Sequence, residues 1–185
     1  MATTSQLARN QRFDASEGPR KLGPREGESV DLLSVGVRFM AWTAETGGGF
    51  SLVEHPIPPR TLVAPLHKHS REDEYSYVFA GRMGALLGEE TVYAEVGDFV
   101  FKPRDQWHTF WNAGDEPCHI LEIIAPGGFE HYFDELATEM TSPDFSPEKI
   151  GELGAKYGLE ADPTSIPRLC EEYGLRHPLL EGGGG

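Results

Sequence analysis

The sequence predicts an all-β domain followed by a C-terminal helical extension. Short apolar runs alternate with turn residues between positions 28 and 125, in a chain with 22 glycines and 14 prolines, and both features favour strands joined by tight turns. Beyond residue 128, the spacing of apolar residues changes to that of a helix. The expected strands are residues 35–42, 49–57, 74–81, 91–96, 98–102, 108–112 and 119–124. Evenly spaced short strands are typical of a β-sandwich or barrel.

The helical extension is predicted from three segments. Aromatic and aliphatic residues fall on one helical face at Phe129, Tyr132, Phe133, Leu136 and Met140. Ser146 followed by Pro147 is a helix start, and a third helix is expected at about residues 166–173. These helices either cover one end of the β-domain or pack on its outer wall. The expected organisation is a flexible N-terminal arm (1–27), the β-domain (28–128), the extension (129–181) and a flexible tail (182–185).

Charge and cysteine usage limit the possible partners. The net charge is −14, which disfavours nucleic acids and anionic membranes because both are bound through clustered Lys and Arg. Cys118 and Cys170 form no disulfide or zinc motif. We find no apolar run typical of a signal peptide or a membrane span, so we expect a cytoplasmic protein that acts on a small molecule.

Ligand-type residues are concentrated in the segment from His67 to Glu74. In a strand, His67 and His69 project from the same face, so two imidazoles can occupy adjacent positions around one metal ion. Glu74 opens the next strand and offers a carboxylate. His108 begins a further strand, which can supply a fourth ligand from across a barrel.

These residues resemble the two motifs of the cupin superfamily. The first motif is matched at His67, His69, Glu74 and Gly81, with Thr61 in place of its leading glycine. The second is matched at Gly97, Pro103, His108 and Asn112, with Asp105 in place of its second glycine. The fifteen residues between the motifs (82–96) are also typical of small cupins.

The resemblance implies a jelly-roll β-barrel of six to eight strands with a metal ion inside it. His67, His69, Glu74 and His108 are the implied ligands. The usual metals of the family are iron, manganese, nickel, cobalt, copper and zinc, and the sequence leaves the identity of the ion open. Small cupins commonly form homodimers. We expect the same here, because Tyr75, Tyr77 and Phe79 should point outward and need cover from a second subunit or from the C-terminal helices.

The expected substrate pocket is largely apolar. Val78 shares a face with Glu74, and Phe110 and Asn112 share a face with His108. The resemblance to small quercetin-dioxygenase-like cupins favours a metal-dependent dioxygenase acting on a small apolar substrate, such as an aromatic or flavonol-like molecule. Glu74 is then both a ligand and the catalytic base. The alternatives are a zinc-type Lewis-acid isomerase or cyclase, and a small-molecule-binding cupin without catalysis.

Overall fold

A computed structural model describes residues 18–181 of the chain. Most of the predicted N-terminal arm, residues 1–17, lies outside this range, and so does the predicted tail at 182–185. The division of the chain into arm, β-domain, extension and tail therefore stays a prediction.

The described residues form eleven strands in two antiparallel sheets. The strands are β1 (Ser29–Asp31), β2 (Gly36–Ala41), β3 (Ser51–Ile57), β4 (Leu66–His69), β5 (Asp73–Ala80), β6 (Met83–Leu87), β7 (Glu90–Ala94), β8 (Phe99–Lys102), β9 (His108–Asn112), β10 (Cys118–Ala125) and β11 (Leu159–Asp162). The first sheet has the order β1-β2-β3-β10-β5-β8, and the second has the order β11-β4-β9-β6-β7. The predicted all-β class is confirmed, although hydrogen bonds do not close the two sheets into one continuous barrel.

The helices follow the β-domain, as expected. They are α1 (Glu130–Glu139), α2 (Pro147–Tyr157), α3 (Ser165–Tyr173) and the short α4 (Pro178–Glu181). Ser146 is the N-cap of α2 and accepts a hydrogen bond from Lys149 N at 3.4 Å, with Pro147 at the first helical position. None of the helices within residues 18–181 has the length and apolarity that a membrane span requires.

One strand of the C-terminal extension was not expected from the sequence. β11 pairs antiparallel with β4, so that Leu159 lies opposite His69 and Ala161 lies opposite His67. The segment Leu159–Asp162 is short and half polar, and its strand conformation depends on a partner far away in the chain. The extension is therefore part of the second sheet, in addition to its helices.

The interior lies between the two sheets and is filled by alternate residues of each strand. The main apolar cluster includes Ile57, Val78, Met83, Val100 and Ile120. Along β10, buried positions alternate with half-buried ones over all eight residues, as expected for a strand with one face in the core. This alternation also places Glu122 on the interior face, where it is 1% exposed.

The two outer faces of the sheets differ in their cover. On the second sheet, Trp111 is buried and its ring stacks on Tyr173 of α3 at 4.4 Å. On the first sheet, Tyr77, Phe79 and Phe99 are 44%, 43% and 59% exposed, with no large buried cluster above them in the described part of the chain. The helical cover that we considered is thus present on one face, and the homodimer stays a prediction.

Candidate metal site

The four residues singled out from the sequence converge in the structure. His67 and His69 lie on β4, His108 lies opposite His67 on β9, and Glu74 reaches them from β5 of the other sheet. All four side chains are buried, and one potential ligand atom from each lies within 4.8 Å of the others. The cluster thus joins the two sheets across the interior.

The outer ring nitrogens of the three histidines are already engaged. His67 Nδ1 lies 2.8 Å from the carbonyl oxygen of Pro65, His108 Nδ1 lies 3.0 Å from that of Gln106, and His69 Nδ1 lies 2.7 Å from Glu72 Oε1. Carbonyl and carboxylate oxygens only accept hydrogen bonds, so each Nδ1 carries the hydrogen. Each neutral ring then presents a lone pair at Nε2, which is the form that binds a metal.

The inward nitrogens face the carboxylate of Glu74. Its Oε1 lies 3.4 Å from His69 Nε2, and its Oε2 lies 3.2 Å from His108 Nε2. Moreover, His69 Nε2 is buried without a hydrogen-bond partner among residues 18–181. A lone pair and a carboxylate oxygen at such distances repel each other unless a cation lies between them or the ring gains a proton.

The pKa directions favour neutral imidazole and ionised carboxylate. Burial, together with the neighbouring His108 and His69, holds the pKa of His67 well below its usual 6.5. Burial by itself raises the pKa of Glu74, but the charge of Lys102 and the contacts with His69 and His108 outweigh it and bring that pKa well below its usual value. His67 is therefore a neutral nitrogen donor beside an ionised carboxylate.

This arrangement fits a single divalent transition-metal ion. Imidazole and carboxylate ligands lie about 2.0–2.2 Å from such ions, so ligands of one ion are spaced about 3–4 Å apart. The distances from Glu74 to His69 Nε2 and His108 Nε2 are in this range, and all four ligand atoms lie within 4.8 Å of one another. A cation held here would give the buried His69 Nε2 a partner. Three nitrogen donors and one oxygen donor suit the divalent metals of the first transition row.

A buried lysine beside the cluster was missed in the sequence analysis. Lys102 Nζ lies 3.0 Å from Glu74 Oε2 and 3.0 Å from Glu122 Oε2, and Ser76 Oγ donates to Glu122 Oε2 at 2.9 Å. Lys102 also lies over the ring of Phe110, 4.2 Å from its centroid. In the sequence, strand alternation places Lys102 on the same face as Val100, but it does not tell that this face, and not that of Phe99 and Phe101, points inward.

The residues predicted to line the substrate pocket are all buried, but in different surroundings. Val78 and Phe110 belong to the main apolar cluster, and Phe110 lies under Lys102. The amide nitrogen of Asn112 donates to Ile57 O at 3.0 Å and to Glu116 O at 2.8 Å, while its oxygen accepts from Gly114 N at 2.8 Å. Asn112 thus holds a turn in place, and the role of all three residues in substrate binding stays a prediction.

The aromatic N-cap of α1 lies against the cluster, and an aromatic side chain of α1 lies against His55. The ring of Phe129 meets that of His69 at 4.4 Å in a near-perpendicular arrangement, and Phe133 meets His55 edge-on at 5.5 Å. Glu130 fixes this end of α1 by accepting hydrogen bonds from Thr43 N and Gly128 N, both at 2.8 Å. The surroundings of the ligands are therefore apolar and aromatic on this side.

The sequence matches one family model and two curated proteins over part of its length. Residues 54–124 match the family model described as the cupin domain. Among curated proteins, the chain is 31% identical over 116 residues to quercetin 2,3-dioxygenase of Aspergillus japonicus, covering 60% of this chain and 33% of that one. It is 26% identical over 125 residues to gentisate 1,2-dioxygenase 1 of Aquipseudomonas alcaligenes, covering 64% and 33%. The chain thus spans about a third of the length of both relatives.

A solved structure supports the fold. The structure of KdgF from Halomonas sp. aligns with 62% of this chain and 99% of its own, with a TM-score of 0.54 and 16% sequence identity. At this identity the likeness concerns the fold alone.

Proposed function

The chain belongs to the cupin superfamily and has its jelly-roll fold, and from this premise we propose that it is a metal-dependent oxidoreductase of the dioxygenase type. The observation that carries the proposal is the set of three inward Nε2 atoms facing one ionised carboxylate. His67, His69, Glu74 and His108 would hold one divalent ion. A bound ion of this kind supplies Lewis-acid activation and, if it is redox-active, electron transfer to O₂.

The substrate that we propose is small, largely apolar and aromatic. Two observations support this class. One observation is that Phe129 lies against His69, Phe133 packs on Phe129, and Phe110 lies under Lys102. The other is that the two curated relatives reported above are named quercetin 2,3-dioxygenase and gentisate 1,2-dioxygenase 1. Such a site excludes water and orients a ring between aromatic side chains. Within it, the carboxylate of Glu74 accepts the proton of the substrate hydroxyl.

The first test is metal binding. Apo-protein is titrated separately with Fe²⁺, Mn²⁺, Ni²⁺, Co²⁺ and Zn²⁺, and bound metal is measured by elemental analysis. We expect one ion per chain in the wild type and none after His69→Ala, whereas His119→Ala is the matched control that removes a histidine paired with Glu54, outside the cluster, and keeps the ion. A wild type that binds no ion contradicts the proposal at its first step.

The second test is turnover. Oxygen uptake is followed for each metal form with a flavonol and with gentisate, the two substrate types named by the relatives. We expect uptake with at least one redox-active metal, and none after His69→Ala. Stoichiometric zinc without oxygen uptake for any metal would replace the dioxygenase proposal by the Lewis-acid alternative. A ligand that binds tightly and is recovered unchanged would favour a binding protein.

A further inference from the structure

A buried group of charges that the proposed function does not use lies on the far side of Glu74. Lys102 is directly opposite Glu74 in the β5–β8 ladder, and Glu122 is opposite Ser76 in the β10–β5 ladder. The strand register therefore brings one ammonium between two carboxylates in the interior. Lys102 and Glu122 are each 1% exposed, so water contributes little to their solvation.

The three hydrogens of the Lys102 ammonium have defined neighbours. Two point toward Glu74 Oε2 and Glu122 Oε2, each 3.0 Å from Nζ, and the ring of Phe110 lies below the ammonium at 4.2 Å. Lys102 thus has no free donor for a substrate. Its contact with Glu74 is a charge-assisted hydrogen bond in a water-poor interior, which is the strong kind.

Because Lys102 contacts one carboxylate oxygen of Glu74, the two oxygens of that side chain have different partners. Oε2 is held by Lys102 and lies beside His108 Nε2, and Oε1 faces His69 Nε2. A free carboxylate rotates about its terminal torsion with little preference, so a fixed partner at one oxygen determines where the other points. Glu122, anchored by Ser76, holds Lys102 in turn.

We propose that Lys102, held by Glu122, is a positioning residue that fixes the carboxylate of Glu74 in the orientation required for metal binding. The inference rests on the proposed metal binding. It identifies Lys102 and Glu122 as the residues that orient the ligand Glu74. It assigns a role to Lys102, which lies within the second motif without being one of its fixed residues, and to Glu122, which lies beyond it. Partners of metal ligands that act in this way typically change metal affinity 10–100-fold when they are removed.

The test must separate positioning from plain charge. Removing Lys102 alone takes a positive charge away from the site, which by itself would strengthen binding of a cation. Burial raises the pKa of Glu122 to about 7, so the measurements are made at pH 8, where Glu122 is ionised. There the double variant Lys102→Met/Glu122→Met removes one charge of each sign and fills similar volume. Replacement of a buried ion pair by apolar residues of like size is often neutral for stability, so we expect this variant to fold.

The readouts are the affinity for Co²⁺ alone and the visible absorption spectrum of the bound Co²⁺. For the double variant we expect affinity to fall by about 10–100-fold and the spectrum to change, since a freed carboxylate alters the ligand geometry. Glu122→Gln keeps Lys102 and should show a smaller loss in the same direction. Because Glu122→Gln also removes a negative charge, which by itself weakens binding of a cation, the spectrum of the bound Co²⁺ is its deciding readout if the double variant does not fold.

Unchanged affinity and an unchanged spectrum in either folded variant would overturn the positioning role while leaving the metal site intact. Tighter binding by the double variant would overturn it as well, because it would mean that the group only opposes the cation. If instead the wild type binds no Co²⁺, the proposed function itself fails, and the two failures are thereby distinguished.

Discussion

Two buried polar groups meet at Glu74, and they differ in how their charges are balanced. On one side, Lys102 lies between Glu74 and Glu122, so the protein supplies its own cation. On the other, the inward nitrogens of three histidines face the same carboxylate, and His69 Nε2 has no hydrogen-bond partner among the described residues. The lysine group (Lys102, Glu74 and Glu122) thus contains its own cation, although Glu122 Oε1 is also buried without a hydrogen-bond partner among the described residues. The histidine group (His67, His69 and His108) contains no cation of its own.

From this difference we infer that the lysine group stabilises the fold, whereas the histidine group is available to bind a ligand. Removing one partner of a buried ion pair lowers the stability of the fold, because the remaining charge stays buried and unpaired. An open set of lone pairs gains stability only when a ligand arrives. The predictions below test this contrast in order of expected size.

The largest effect is expected from Lys102→Met, measured on the metal-free protein. The substitution leaves two buried carboxylates without their cation, and breaking a buried pair typically costs about 3–5 kcal/mol. Urea unfolding in the presence of a chelator measures the loss. Lys102→Met/Glu122→Met should recover part of it, because only Glu74 then remains without that cation. Equal stability of the single variant and the wild type would show that Lys102 does not stabilise the fold through these ion pairs.

The second effect concerns pH and His55, a buried imidazole outside the cluster whose Nδ1 lies 3.1 Å from Gly36 O. Burial lowers the pKa of His55 from 6.5 to about 4. As pH falls between these values, the unfolded chain takes up the proton first. The stability that neutral His55 contributes is thus complete above pH 6.5 and is lost as pH falls to about 4, by up to about 3 kcal/mol.

This is measured as the difference in unfolding free energy between the wild type and His55→Gln, both metal-free, across pH 7.5 to 4. The glutamine does not titrate, and all other groups are common to both proteins. As the pH is lowered from 6.5 to 4, we expect the unfolding free energy of the wild type to fall relative to that of His55→Gln. Parallel curves would mean that burial alone does not keep an interior imidazole neutral in this fold.

The smallest effect is expected from the residue that orients His69. Glu72 accepts the Nδ1 hydrogen of His69 at 2.7 Å and is itself buried. Glu72→Ala should weaken metal binding by about 10–100-fold, measured by competition with a chelating dye. Glu72→Gln retains an acceptor oxygen and should lose less. If the alanine variant binds metal as the wild type does, the orientation of His69 does not depend on this bond.

The ligand set and most strands could be predicted from the sequence because both follow local rules. His67 and His69 share a strand face, and each of the seven expected strands is present with its bounds changed by only a few residues. The start of α2 at Pro147 follows from a cap and a proline that act within one turn. Such features need no knowledge of the distant chain.

The lysine group and β11 could not be predicted in the same way, because each depends on a partner far away in the chain. Lys102 on an amphipathic strand usually faces solvent, and only the ladder register puts it opposite Glu74. Glu122 lies in an apolar run where its charge has no local explanation. Likewise, Leu159–Asp162 forms a strand because β4 offers it an edge.

The pairing of β11 with β4 has a consequence for how small molecules reach the ligands. Main-chain hydrogen bonds connect the extension to the strand that carries His67 and His69. The extension therefore cannot swing outward as a rigid flap without tearing that ladder, so passage on this flank would require local melting of the sheet edge. Ser70 N donates to Gly158 O, and hydrogen-bonded pairs alternate along an antiparallel ladder, so the amide of Glu160, opposite Lys68, faces β4. Amide hydrogen exchange at Glu160 would report how often that flank opens.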